Sequence, residues 1–264
     1  MSAHSTNVEA GFPEMWQLVH DKYELFFEAA EKLQPIVNEM IGRPLEGQLL
    51  QMIGRMALAA VNTYGALLTL VMNGYGHDAM KLARSLFETE LNILWLKKHP
   101  EDVRDFLDFN VIQQKQLYDE LSEEQRKQVE QESYAQMIDA YNKILPRFRS
   151  RQDKDRPRNE WCRESLYKRA KEAGPLYLDL YQKFYRQASS MHHGDIGGLI
   201  FQSDENMKIE LAPSWNLLED ALIASGMALR CVGYFDEIAK LGFRERLESG
   251  PNEAYIAAME SLTQ

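Results

Sequence analysis

Cysteine is nearly missing from this chain: two residues in 264. That excludes a small scaffold stapled by disulfides. Cys162 and Cys231 share no CxxC spacing and read as reduced thiols of a cytoplasmic protein. Glycine, at 15 residues, and proline, at 9, are both below ordinary usage. Their scarcity excludes collagen-like and low-complexity chains. Strand-like alternation of polar and apolar residues is scarce, and no repeat of 20–50 residues is present. The first residues, MSAHSTNVEAGFPEMW, lack a basic stretch followed by an apolar one and do not read as a signal peptide. Bases are in deficit, 30 against 40 acids, for a net charge of −10. A chain of that sign does not coat DNA, because phosphate affinity comes from clustered cations. HExxH, zinc-finger spacing, G-x-S-x-G and kinase signatures are all lacking, so no metal and no cofactor is expected.

What is present is helical periodicity along almost the whole length. Helices are expected over Pro13–Leu33, stopped by Pro35, and over Leu45–Met72, closed by Asn73-Gly74. Further helices are expected over His77–Lys98 and Glu101–Leu121. Another starts at the capping box Ser122–Gln125 and ends before Pro146. The pattern returns at Trp161, breaks at Gly174-Pro175 and resumes to His193. The last long helix covers Trp215–Leu247, and a short one follows within 248–264. The reading is one all-α domain, a bundle of about seven helices. Residues 1–11 form a flexible N-terminus, 146–160 an exposed basic loop, and 192–214 a long Gly-containing loop after the Tyr-rich helix, with a short hairpin at Leu199–Phe201 and Lys208–Leu211. The uncharged stretch Met56–Gly76 is broken by Asn62, Thr63, Gly65 and Asn73, which favours a buried central helix over a membrane span. The apolar side of the last long helix, with Leu218, Leu222, Met227 and Phe235, fits either a homodimer seam or core packing.

Two polar sets interrupt apolar helices. Arg84 and Glu88 stand at i and i+4 on a helix that is otherwise apolar nearly all round. They read either as an internal ion pair that fixes register or as a pocket, with Glu88 as base and Arg84 as anion clamp. The second set lies in YLDLYQKFYRQASSMHHGD. Arg186, Ser190 and His193 share one face, and His192 lines up with Tyr185. Gly194 ends that helix and leaves both histidines at its C-terminus, where the dipole favours the protonated form. Half-buried polar groups need partners, so Arg84 and Glu88 are expected to face Arg186, Ser190 and His193 across the bundle. Arg186, His192, His193 and Glu88 are the candidate catalytic residues. Arg84, Ser190, Tyr185 and Asp195 are the candidate ligand contacts. The segment Arg147–Arg158, with six bases and two acids, is a solvated loop or a local contact for an anion or RNA.

RSLFE at Arg84–Glu88, the HPED helix start at His99–Asp102, Trp161 and the Tyr-rich segment ending in SSMHHG resemble the bacterial proteins grouped as domain of unknown function number 5677. The resemblance covers about residues 15–200 and implies an all-helical cytoplasmic protein with no established activity. A looser similarity is to HEPN domains, helical bundles that dimerise and cut RNA without a metal. Their pattern of Arg, four to six residues, then His falls on Arg186 with His192 or His193, with five or six residues between. It implies that Arg186 stabilises phosphate charge while a histidine acts as acid or base. Three functions are therefore open: a metal-independent ribonuclease or RNA-binding module, a non-catalytic interaction protein whose polar set is structural, and a protein that binds a small anion through Arg84 and Arg186.

Overall fold

The central layer is made by three long helices, α2 (Gln48–Met72), α3 (Gly76–Lys98) and α10 (Trp215–Ala239), which pack on one another. The computed structural model describes residues 13–150, 153, 156–193 and 215–263; the side chains of Pro13, Glu14 and His193 fall outside that description. The expected N-terminus at 1–11, most of the long loop at 192–214 with its hairpin, and Asp195 also lie outside the described residues. Around the trio run α1 (Pro13–Ile41), α4 (Val103–Glu120), α5 (Glu123–Arg126), α6 (Gln131–Phe148), α7 (Leu166–Ala173), α8 (Pro175–Leu180), α9 (Arg186–His193), α11 (Arg244–Leu247) and α12 (Glu253–Ser261). Among the described residues there is no β-strand, only an antiparallel bridge between Arg149 and Pro157. The protein is an all-α bundle.

Spacing explains the trio. Ile53, Ala57, Ala60, Tyr64, Leu67 and Val71 recur every three or four residues on α2 and are all at most 2% exposed. Each larger one contributes roughly 1.5–3 kcal/mol on burial. By length and composition α2 could cross a membrane, and 39% of its most apolar window is buried within the fold. Gly74, at φ 77, closes it in a conformation that a side chain resists. On α10, Leu217, Leu218, Ala221, Leu222, Met227, Val232 and Phe235 are buried within the chain, so that side is occupied by α2 and α3.

Helix ends depart from expectation where packing outweighs local signals. α1 does not stop before Pro35 but runs through it, because Leu33, Ile36, Val37 and Met40 beyond and before the ring are all buried. Their burial offsets the roughly 3 kcal/mol that a helical proline costs. α6 likewise runs through Pro146 to Phe148, whose ring is fully buried. The capping box at Ser122–Gln125 is formed, but it starts only the single turn of α5, and α6 begins at Gln131. α7 starts at Leu166, capped by Ser165, and not at Trp161. α10 ends at Ala239 and not at Leu247: Lys240 (φ 52) and Gly242 (φ 84) turn the chain, and the Asp236 carboxylate accepts from the Phe243 N–H at 2.8 Å to hold the turn.

The basic segment is anchored more than its composition suggests. Arg147 pairs with Asp105 at 2.7 Å and with Asp108, and its guanidinium packs on the buried Phe148 ring from one residue away. Arg158 packs on the same ring, 4.7 Å from its centroid, and donates to the Trp161 carbonyl. Arg149, Arg156 and Asn159 are exposed.

Candidate functional site

Arg84, Glu88 and Asn92 follow at four-residue spacing on α3 and so form one polar stripe. The stripe lines a cavity of about 540 Å³. α4 contributes Phe106, Phe109, Asn110 and Gln113, the segment before α7 contributes Asn159, Glu160 and Trp161, and α7 contributes Arg169. The last wall is Tyr185, at the end of a π-helical turn over Tyr181–Tyr185 that leads into α9. Such turns insert a residue into a helix and are frequent at functional sites.

Arg84 Nη2 lies 2.9 Å from Glu88 Oε1 and donates to the Tyr185 hydroxyl at 3.0 Å. That hydroxyl donates in turn to Glu88 Oε1 at 2.7 Å. The Arg84 guanidinium also sits 5.1 Å from the Tyr185 ring centroid. Tyr185 is held in place by stacking on Tyr181, 5.3 Å between centroids, and by Phe87. Burial, reinforced by the hydrogen bond to Glu88, pushes its phenol well above the usual range. Tyr185 is therefore a neutral donor at ordinary pH and does not serve as a base. Across the cavity Arg169 is 5% exposed. It donates to Asn92 Oδ1 and to Glu160 Oε2, the latter at 3.0 Å, while Trp161 Nε1 donates to the same Asn92 oxygen at 3.2 Å. The Nε atoms of Arg84 and Arg169 are buried, and neither has an acceptor among the described residues. A buried donor without an acceptor costs about 1–3 kcal/mol.

Of the expected site residues, the fold brings together Arg84, Glu88 and Tyr185. The residue that meets the Arg84–Glu88 pair is Tyr185, and Arg186 next to it is exposed. Ser190 is half-buried and His192 is exposed on α9. Arg186 and His192 stand six residues apart, hence about 120° apart around the helix. The His193 side chain and Asp195 lie outside the described residues. Arg169 was not singled out from sequence, and nothing local marks it: it sits in a lysine- and arginine-rich turn and is placed only by the packing of α7 on α3.

A second polar cluster was also missed. Glu90, with no exposed surface, receives Arg230 Nε at 2.6 Å, Arg230 Nη2 at 2.9 Å and the Tyr177 hydroxyl at 2.7 Å. The Tyr177 and Tyr234 hydroxyls are 2.7 Å apart. Burial and then the Glu90 charge push the Tyr177 phenol far up. Burial opposes the charge on Arg230, but the hydrogen bonds and charge of Glu90 outweigh it and raise its pKa. The readable signal was an acid set between Phe87, Leu91 and Ile93 on the apolar side of α3. Among the described residues, no three His, Cys, Asp or Glu side chains are grouped to hold a metal ion.

Fold and cavity together define an all-helical protein with a polar cavity walled by two arginines and four aromatic side chains. The chain belongs to a family of unknown function, DUF5677, whose model matches residues 51–208, more than half of its length. The match spans Arg84, Glu88, Arg169 and Tyr185 and ends before Arg230. No curated protein and no solved structure matches the chain.

Proposed function

We propose that the chain is a ligand-binding protein whose cavity takes a small organic anion, with a carboxylate or phosphate oxygen received by Arg84 and Arg169. The observation that carries this reading is that both guanidiniums line one cavity of about 540 Å³. That volume falls in the range of about 300–1,000 Å³ typical of small-molecule sites. Glu88 and Tyr185 fix the Arg84 fork, and Asn92 and Glu160 fix the Arg169 fork. Such preorganisation lowers the ordering cost of binding. Asn110, Gln113 and Asn159 supply neutral donors and acceptors, and Trp161 and Phe106 supply an apolar wall. The ribonuclease reading draws less support, because Arg186 and His192 diverge around α9 and the His193 side chain lies outside the described residues.

A thermal-shift screen with dicarboxylates and phosphomonoesters tests the proposal. A ligand at a hundredfold excess over its Kd stabilises the native state by about 2.7 kcal/mol, a rise of several degrees. Arg84→Gln and Arg169→Gln are expected to lose the rise, and Arg84→Lys to keep part of it. No stabilisation of the wild type by any compound, or an unchanged rise in both Gln variants, would contradict it. Cleavage of labelled single-stranded RNA that survives EDTA and disappears in Arg186→Ala would favour the ribonuclease instead.

A further inference from the structure

A second cavity, of about 510 Å³, shares Asn159 and Glu160 with the first and opens between the end of α6 and the start of α7. Arg147, Arg149, Arg158 and Arg163 line it. The acids at its rim are engaged elsewhere: Glu160 with Arg169 at 3.0 Å and Glu164 with Lys168 at 2.8 Å. Arg147 and Arg158 are tied from beneath by Asp105 and by the Phe148 ring. Arg149 and Arg163 are exposed, and among the described residues no acid pairs with either. The cleft thus has two fixed guanidiniums and two that have no ion pair with an acid among the described residues.

Its backbone is also fixed. Arg158 N–H donates to the Phe148 carbonyl at 2.7 Å and Ser150 N–H to the Arg156 carbonyl at 2.8 Å, which brackets Arg149 between bonded neighbours. Ser165, the N-cap of α7, lines the same cleft and brings the positive end of that helix to it. Burial holds Arg158 below the usual arginine value; the Asp105 charge opposes this and the Arg163 charge adds to it.

We infer that this cleft is a second ligand site, separate from the first cavity, which binds the phosphoryl group of a small molecule such as a phosphomonoester or a diphosphate between Arg149 and Arg163. Guanidinium forks match phosphate oxygens in geometry and charge. Among the described residues no aromatic ring lines the cleft, so it lacks the stacking platform by which single-stranded nucleic acids are held. The net charge of −10 further disfavours a polyanion.

Calorimetric titration of the full chain with inorganic pyrophosphate tests this. Saturable binding that weakens with added salt is expected. Arg149→Gln/Arg163→Gln is expected to weaken it by about tenfold or more, the factor carried by a charged hydrogen bond. Both side chains are exposed, so the double variant should keep the wild-type circular dichroism and Tm. Arg84→Gln, in the other cavity, should keep the component of pyrophosphate binding that the double variant loses, so this inference and the first proposal can fail independently. It is overturned if pyrophosphate does not bind the wild type or binds the double variant equally well. It is also overturned if a short single-stranded RNA binds more tightly than pyrophosphate and is lost in the same double variant, which would make the cleft a nucleic-acid contact.

Discussion

Glu88 and Glu90 stand two residues apart on α3, so their side chains leave the helix about 200° apart. Each meets an arginine and a tyrosine. Glu90 is sealed between α3, α8 and α10, and two Arg230 donors and the Tyr177 hydroxyl occupy its oxygens. Glu88 retains 36% side-chain exposure and sits with Arg84 and Tyr185 on the rim of a cavity. Residue types are therefore the same in both clusters, and enclosure separates their roles. The sealed Glu90 carboxylate ties α8, through Tyr177, and α10, through Arg230, to α3. An open pair has spare donors and a space beside them, which is what a ligand needs.

The largest expected effect separates the two. Glu90→Ala removes a fully buried acceptor from the Tyr177 hydroxyl and from Arg230, whose side chain is one-third exposed, and should destabilise the protein by about 1.5–3 kcal/mol in urea unfolding. Glu88→Ala should cost less than about 1 kcal/mol, as for partly exposed pairs. Comparable losses would erase the distinction. Close packing around the sealed cluster gives the next effect. A Cβ added at Gly226, one helical turn before Arg230, would stand 2.4 Å from the Tyr255 ring. Gly226→Ala should cost about 1–3 kcal/mol by overpacking. Gly65, on the exposed side of α2 with nothing within 4 Å, gives the control: Gly65→Ala should stabilise by about 0.5–1 kcal/mol.

Alkaline pH should reveal the clusters as a graded loss. Tyr177 and Tyr185 both have raised pKa values, first through burial and then through Glu90 and Glu88. Their neutral forms are favoured on folding, so that contribution is whole below the unfolded phenol value of about 10. It declines as pH rises above that value, because the unfolded chain then ionises more readily. Tyr177→Phe and Tyr185→Phe should each flatten this decline by a similar amount, measured as unfolding free energy between pH 9 and 11 (about one unit on either side of the free phenol value), because both folded phenols stay neutral across that window. The smallest effect is at Arg186: Arg186→Ala, on an exposed side chain, should change stability by no more than about 0.5 kcal/mol.

Much of the fold was readable in the sequence, since α2 and α3 are set by three- and four-residue apolar spacing, and Asn73-Gly74 and Ser122–Gln125 act through neighbouring backbone atoms. The Arg84–Glu88 pair was readable for the same reason: its two members are one helical turn apart. Tertiary partners were not. Arg230 lies 140 positions from Glu90, and Arg169 lies 77 from Asn92. Pro35 and Pro146 carry strong local stop signals, overridden by the burial of Leu33, Ile36 and Phe148. Tyr185 reached Arg84 in place of Arg186 because the π-helical turn resets the helical register just before α9.

The most direct test follows the Tm of the wild type, Arg84→Gln and Arg186→Ala across the same series of carboxylate and phosphate compounds. The expected result is a compound that raises the Tm of the wild type and of Arg186→Ala equally and leaves that of Arg84→Gln unmoved. If every compound that raises the Tm of the wild type raises that of Arg84→Gln equally, or if Arg186→Ala loses the rise, the open cluster on α3 is not the ligand site.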